Sequence, residues 1–194
     1  MKADLSESFR KAFFESIRAD ECTRPLKESA LAGRLGDWTR VLTVVSVDAC
    51  RAMGWQASAK GHKLNLLPVQ RGEYLGFDVM AFADGQKRWR FPAAVIELEN
   101  SQNEDYIAYS LWKVLAVRAS LRVVFCYRRS SNLATPLVKH LREEVIEAMG
   151  LDGRVKLEGS TLLVIGTRSE SETFPYGFFT WWELDTNTGR FEKF

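Results

Sequence analysis

Two carboxylates stand two residues apart in the stretch Pro92-Ala93-Ala94-Val95-Ile96-Glu97-Leu98-Glu99-Asn100. The residues ahead of them are apolar and partly β-branched, the composition of a buried strand. Side chains alternate across a strand, so Glu97 and Glu99 project from one face. Like charges at the tip of a core strand repel and lose hydration unless a cation lies between them. A divalent metal ion is the simplest such cation. A third acid, Asp78, lies on the preceding apolar segment, Tyr74-Leu75-Gly76-Phe77-Asp78-Val79-Met80-Ala81-Phe82. The chemistry these acids could share is a metal site built across two adjacent strands. The same residues also fit a strand that leaves the core at Glu97 and carries both carboxylates into water, with Asp78 a turn or edge residue.

Rival chemistries find little support. His62 and His140 have no Cys or His partner at ligand spacing, which argues against zinc. There is no glycine-rich phosphate loop and no Gly-x-Ser-x-Gly elbow. The chain has 194 residues, 46% hydrophobic and 27% charged, the range of a single globular domain spanning 1–194. A net charge of +2 says nothing about nucleic acid by itself. Cys50 and Cys126 sit in apolar segments and read as small core residues. With three cysteines and no secretory leader pattern, the expected setting is the reducing cytoplasm. No apolar run approaches the roughly 20 residues of a membrane span.

The elements that must position the acids follow from periodicity. Phe9, Phe13 and Ile17 at four-residue steps predict an N-terminal helix over 5–19, opened by the Asp4/Glu7 capping box. The polar 21–36 segment, broken by Pro25, Gly33 and Gly36, reads as a loop with at most one short helix. A buried helix is expected from Trp38 to Met53, with Asp37 as N-cap and Gly54 as stop. A strand broken at Gly61 is expected over 55–67. The two acidic strands flank Asp84-Gly85, a hairpin signal, and should be antiparallel neighbours. A tight turn there would set Asp78 opposite Phe91, so joining the acids needs a longer loop reaching about Arg88, or a bulge near Pro92. Ser101 and Glu104 form a capping box for a helix to about Arg118. A strand over 121–127, a helix over 135–149, a strand over 162–165 and a C-terminal hairpin complete the order. Strand, helix and strand around Ser101 imply a parallel pair. The fold class is α/β, with a mixed central β-sheet flanked by helices.

This order and these acids resemble the PD-(D/E)XK nuclease superfamily, whose restriction-endonuclease-like core runs helix, three strands, helix, strand. The matching part is about 37–128. Asp78 stands for the Asp of the second core strand, with eighteen residues between it and Glu97, the first acid of the third. Glu99 takes the place of the motif's lysine, as in the Glu-x-Glu variant known from some restriction enzymes. In members whose lysine has moved to the next helix, its counterpart here is Lys113. Gln102-x-x-x-Tyr106 echoes the Gln-x-x-x-Tyr of the RecB-like branch. The resemblance implies Mg²⁺ or Mn²⁺ held by Asp78, Glu97 and Glu99, catalysis by these three with Lys113, and DNA as substrate in a repair, restriction or mobile-element setting. Lys60, Lys63, Arg88, Arg90, Arg128 and Arg129 are the expected phosphate contacts. Restriction-type members often act as homodimers. Loss of the motif lysine and an aromatic C-terminus fit an alternative: a catalytically inactive nuclease-like scaffold that binds nucleic acid or a protein.

Overall fold

Strand order follows chain order across a seven-stranded sheet among the described residues. The computed structural model describes residues 4–18 and 20–194. The strands are β1 (Gln56–Ala59), β2 (Val79–Phe82), β3 (Ala94–Leu98), β4 (Leu121–Arg128), β5 (Ser160–Thr167), β6 (Phe179–Asp185) and β7 (Arg190–Lys193). β1, β2 and β3 are antiparallel, β3, β4 and β5 parallel, and β5, β6 and β7 antiparallel again. The parallel steps are the two that carry helices: α4 (Glu104–Leu115) between β3 and β4, and α5 (Ala134–Leu141) with α6 (Glu147–Val155) between β4 and β5. Crossovers need that length, whereas adjacent antiparallel strands do not. The protein is α/β, a mixed sheet with helices on both faces.

One face packs on α1 (Leu5–Ile17), α2 (Asp20–Ala32) and α3 (Leu35–Ala52). It takes Ala94, Ile96 and Leu98 from β3 and Val123 and Phe125 from β4. The other face, Val95, Val124, Cys126, Leu163 and Ile165 among it, packs on α4 and α5. Cover on both sides is why these strands read as unbroken apolar runs. Phe13 is central to the first face: its ring lies 5.0 Å from Phe125 and 5.2 Å from both Phe179 and Trp181. Much of the aromatic 174–182 run is thus core. No helix among the described residues is long and apolar enough to cross a membrane.

Several boundaries differ from expectation. The 21–36 segment holds a thirteen-residue helix, α2, with Pro25 inside it. Cys22, Leu26 and Ala30 recur every four residues and bury one stripe, and that packing outweighs the proline's missing N–H. α1 ends at Ile17; the expected last residue, Ala19, lies outside the described residues. α3 begins at Leu35, so Asp37 is a first-turn acid, 3.2 Å from Arg34 and 3.5 Å from Arg40, rather than the cap. Gly54, at φ 77, does end that helix. The expected 55–67 strand is only β1, after which the chain turns at Gly61 and pairs Ala59 with His62. Asn103, not Ser101, caps α4, because Ser101 Oγ is already accepting from the Asn103 N–H at 3.1 Å. The 135–149 helix starts at Ala134, loosens into a π-helical turn over Arg142–Ile146 and runs on past a kink at Gly150.

Phe13→Ala removes the ring through which α1 packs on β4 and β6 and should destabilise the protein by about 3–5 kcal/mol. Urea denaturation followed by tryptophan fluorescence measures it.

Candidate functional site

The β2–β3 register decides where the acids stand. Val79 pairs with Ile96 and Ala81 with Ala94, so one step further along Asp78 faces Glu97. The longer 83–93 loop, not a tight Asp84-Gly85 turn, sets this register. Asp78 is fixed at the strand end: its Oδ2 accepts the Leu98 N–H at 2.7 Å. Glu97 is 7% exposed and shares the α4 side of β3 with Val95.

Lys113 reaches this pair from α4. Its Nζ lies 2.8 Å from Glu97 Oε1, donates also to the Gly76 carbonyl, and sits 4.5 Å from the centre of the Phe77 ring. Gly76 presents that carbonyl because the chain turns sharply before β2. Leu75 (φ 54) and Gly76 (φ 69) are both left-handed there. A leucine in that region is strained, by about 1–3 kcal/mol. The turn is thus held against its local preference while Lys113 bridges it to β3.

Burial pushes the Glu97 carboxyl up to about 7, against the Lys113 hydrogen bond and charge and with the help of the Asp78 charge. Burial also raises Asp78; the Leu98 N–H and Lys113 oppose this, and Glu73 and Glu99 add to it. Two adjacent acids are therefore held above their ordinary range. One ammonium is too little positive charge for both to ionise freely.

Glu99 takes another course on the same side of the strand. Its Oε1 accepts the Ser101 N–H at 2.7 Å and its Oε2 accepts from Ser110 Oγ at 3.4 Å. Its charge is felt at Asp78, but its oxygens are engaged by the α4 approach. Among the described residues no three His, Cys, Asp or Glu side chains are grouped to hold a metal ion; the Asp78–Glu97 pair is the set that could. Gln102 braces the Tyr127 carbonyl at 3.3 Å and Tyr106 stands exposed, so neither joins the cluster.

Of the expected phosphate contacts, Lys60 is well placed. With Arg40, His62, Glu73, Asp78 and Asn100 it lines a cavity of about 680 Å³ that opens beside the acids. Arg40 was not foreseen, because on its own helix it reads as one more solvated residue. The tie is tertiary: Asn100, just past β3, donates to Thr39 Oγ1 at 3.0 Å and seats α3 against the site. Arg128 is buried 3.8 Å from Glu104 and braces β4 rather than facing solvent. Arg88 and Arg90 belong to the loop at the far end of β3 and are not beside the acids. No family model, curated protein or solved structure matches the chain.

The raised Glu97 pKa fixes a sign. Below its ordinary value of 4.5 the group is protonated in both folded and unfolded chains. Between 4.5 and about 7 the unfolded chain releases the proton and the folded protein keeps it, so stability falls as pH rises and levels off above that window. Asp78 acts in the same sense. Metal-free denaturation across this range should show the decline in wild type and a smaller one in Glu97→Gln. Lys113→Met, which removes the opposing charge, should extend the decline to higher pH.

Proposed function

We propose that the chain is a nuclease that hydrolyses DNA phosphodiester bonds with the help of Mg²⁺ or Mn²⁺. The observation that carries this reading is the register that sets Asp78 across from Glu97 while α4 delivers an ammonium to the same point. The strand–strand–helix–strand order around them supports it. Two buried acids short of positive charge fit a hard divalent cation, which takes one or two carboxylates and keeps several waters. Asp78 and Glu97 would hold it. Such an ion supplies charge neutralisation at the phosphate and a water of lowered pKa.

The chain's own residues do the rest. The Leu98 N–H fixes the direction of the Asp78 carboxylate. Lys113, anchored on Glu97 and the Gly76 carbonyl, offers a point charge to a phosphate oxygen, where developing negative charge needs it. Glu99 adds negative charge near Asp78 and ties the β3 end to α4. Serving as a third ligand or as the base would require Glu99 to give up the Ser101 and Ser110 bonds. Arg40 and Lys60 offer phosphate contacts in the adjoining cavity. A reducing, cytoplasmic setting belongs to the same reading, with Cys50 and Cys126 as buried free thiols. Pairing of two copies would bring a second centre to the other strand.

A specific observation favours the alternative. Lys113 already pairs with Glu97, and three ligating side chains do not converge among the described residues. An inactive nuclease-like scaffold would keep this arrangement for its packing alone.

Two measurements separate the readings. Cleavage of plasmid and linear DNA in Mg²⁺ should vanish in Glu97→Ala while the circular dichroism spectrum is kept; cutting at the wild-type rate would end the nuclease reading. Calorimetry with Mn²⁺ should show saturable binding, tighter at pH 8 than at pH 6 because the ion needs the ionised carboxylates, and absent in Asp78→Asn. A flat titration of the wild type would favour the scaffold.

A further inference from the structure

The loop over 83–93 carries more than a connection between β2 and β3 requires. It spells Lys87-Arg88-Trp89-Arg90-Phe91, and both rings are out in water: Trp89 is 63% exposed and Phe91 80%. Joining two antiparallel neighbours calls for a few polar residues. Bare aromatic rings at such a place mark a surface that meets something. Among the described residues, Lys87, Arg88 and Arg90 make no ion pair with a carboxylate; the Arg90 Nε donates only to the Lys87 carbonyl, at 3.3 Å.

Behind the loop lies a cavity of about 650 Å³ with Phe91 and Pro92 on one wall. Arg118, Arg122 and Lys156 stand among its other lining residues, several of them apolar, with Glu158 as the one acid. Arg122 is 3% exposed. Its Nε donates to the Val117 carbonyl at 3.2 Å and its Nη1 to the Glu158 carbonyl at 2.8 Å. No carboxylate pairs with it among the described residues, although buried charges are ordinarily paired. Burial lowers its pKa, as expected for a cation held without a counter-charge. The volume lies within the roughly 300–1,000 Å³ of small-ligand sites.

We propose that this loop and cavity form a second nucleic-acid contact, which takes an unpaired base and its flanking phosphates. Phe91 and Trp89 stack on bases, which every sequence offers. Lys87, Arg88, Arg90, Arg118 and Lys156 meet the backbone phosphates, and Arg122 gives the cavity floor its positive sign. An anionic membrane would also attract a cationic, aromatic loop. The cavity distinguishes them: a loop that dips into lipid has no use for a recess with a buried guanidinium, whereas a base with its phosphate fills one. The site lies at the end of β3 opposite Glu97, five residues or roughly 16 Å along the strand from Pro92. It rests on the charge and exposure of this end and not on hydrolysis at Asp78 and Glu97.

The test uses the full chain in EDTA and fluorescence anisotropy with labelled oligothymidylate and a duplex of equal length. The single strand should bind more tightly than the duplex. The double variant Arg88→Glu/Arg90→Glu should weaken binding at least tenfold and flatten its salt dependence. Phe91→Ala should weaken binding of the single strand about tenfold and leave the duplex little changed. Both changes lie on an exposed loop, and unchanged thermal unfolding shows that the fold is intact. Wild-type affinity in both variants would overturn the proposal. So would wild-type protein that ignores the oligonucleotide but binds phosphatidylserine vesicles through the same residues. Glu97→Gln keeps the two readings apart: if it cuts DNA at the wild-type rate while the loop variants lose binding, the cleavage centre is wrong and this contact stands.

Discussion

Glu97 sits in a place where a carboxylate is poorly hydrated, and a lysine ammonium from the next helix stands against it. Much around that pair serves to keep it there. The β2–β3 register brings Asp78 alongside. The left-handed turn at Leu75 and Gly76 offers Lys113 a second acceptor. The Phe77 ring lies beneath the ammonium, and α4 is tied to β3 a second time through Glu99 and Ser110. One positive charge then faces two partly buried acids, which leaves the end of the sheet electrostatically unsatisfied. Sites in that condition attract cations, and reactive sites are often found there.

The sheet that carries this pair is held from both sides. An aromatic cluster centred on Phe13 fastens α1 to β4 and β6, and aliphatic packing fastens α4 and α5 to the other face. Parallel strands in the middle need cover on both faces; the antiparallel pairs outside them form the two flanks. The acids stand where β2 begins and β3 ends, so the site draws on the sheet, on α4 and on α3 through the Asn100–Thr39 bond. A site assembled from rigid elements holds its geometry better than one built on loops.

The two ends of β3 differ in charge and character. One gathers Asp78, Glu97 and Glu99 around Lys113 in a half-buried setting, with Arg40 and Lys60 in the adjoining cavity. The other gathers unpaired cations and bare rings around a recess. That polarity is not visible in a net charge of +2. Summed charge hides what the fold separates, because the acids gather at one end of β3 and cations from several elements gather at the other.

Local pattern was enough for the architecture. Alternation and apolar runs located the strands, periodicity found α1, α3 and α4, and Gly54 marked a helix end. Two-residue spacing put Glu97 and Glu99 on one side of β3. The misses share a cause. Pro25 and scattered polar residues hid α2, whose stripe of Cys22, Leu26 and Ala30 matters only once a sheet is there to pack on. Ser101 and Asn103 are both capable caps, and the turn stabilised by Glu99 chose between them. Asp-Gly left a tight turn, a longer loop or a bulge open, and burial of Val79, Ala81, Ala94 and Ile96 on one face goes with the register that has the long loop. Residue types and their spacing thus supplied the acids and the lysine as candidates. Only tertiary structure decided that Asp78 meets Glu97, that Lys113 reaches them and that Glu99 turns to Ser110, because those contacts join residues far apart in the chain whose approach depends on how helices and sheet pack.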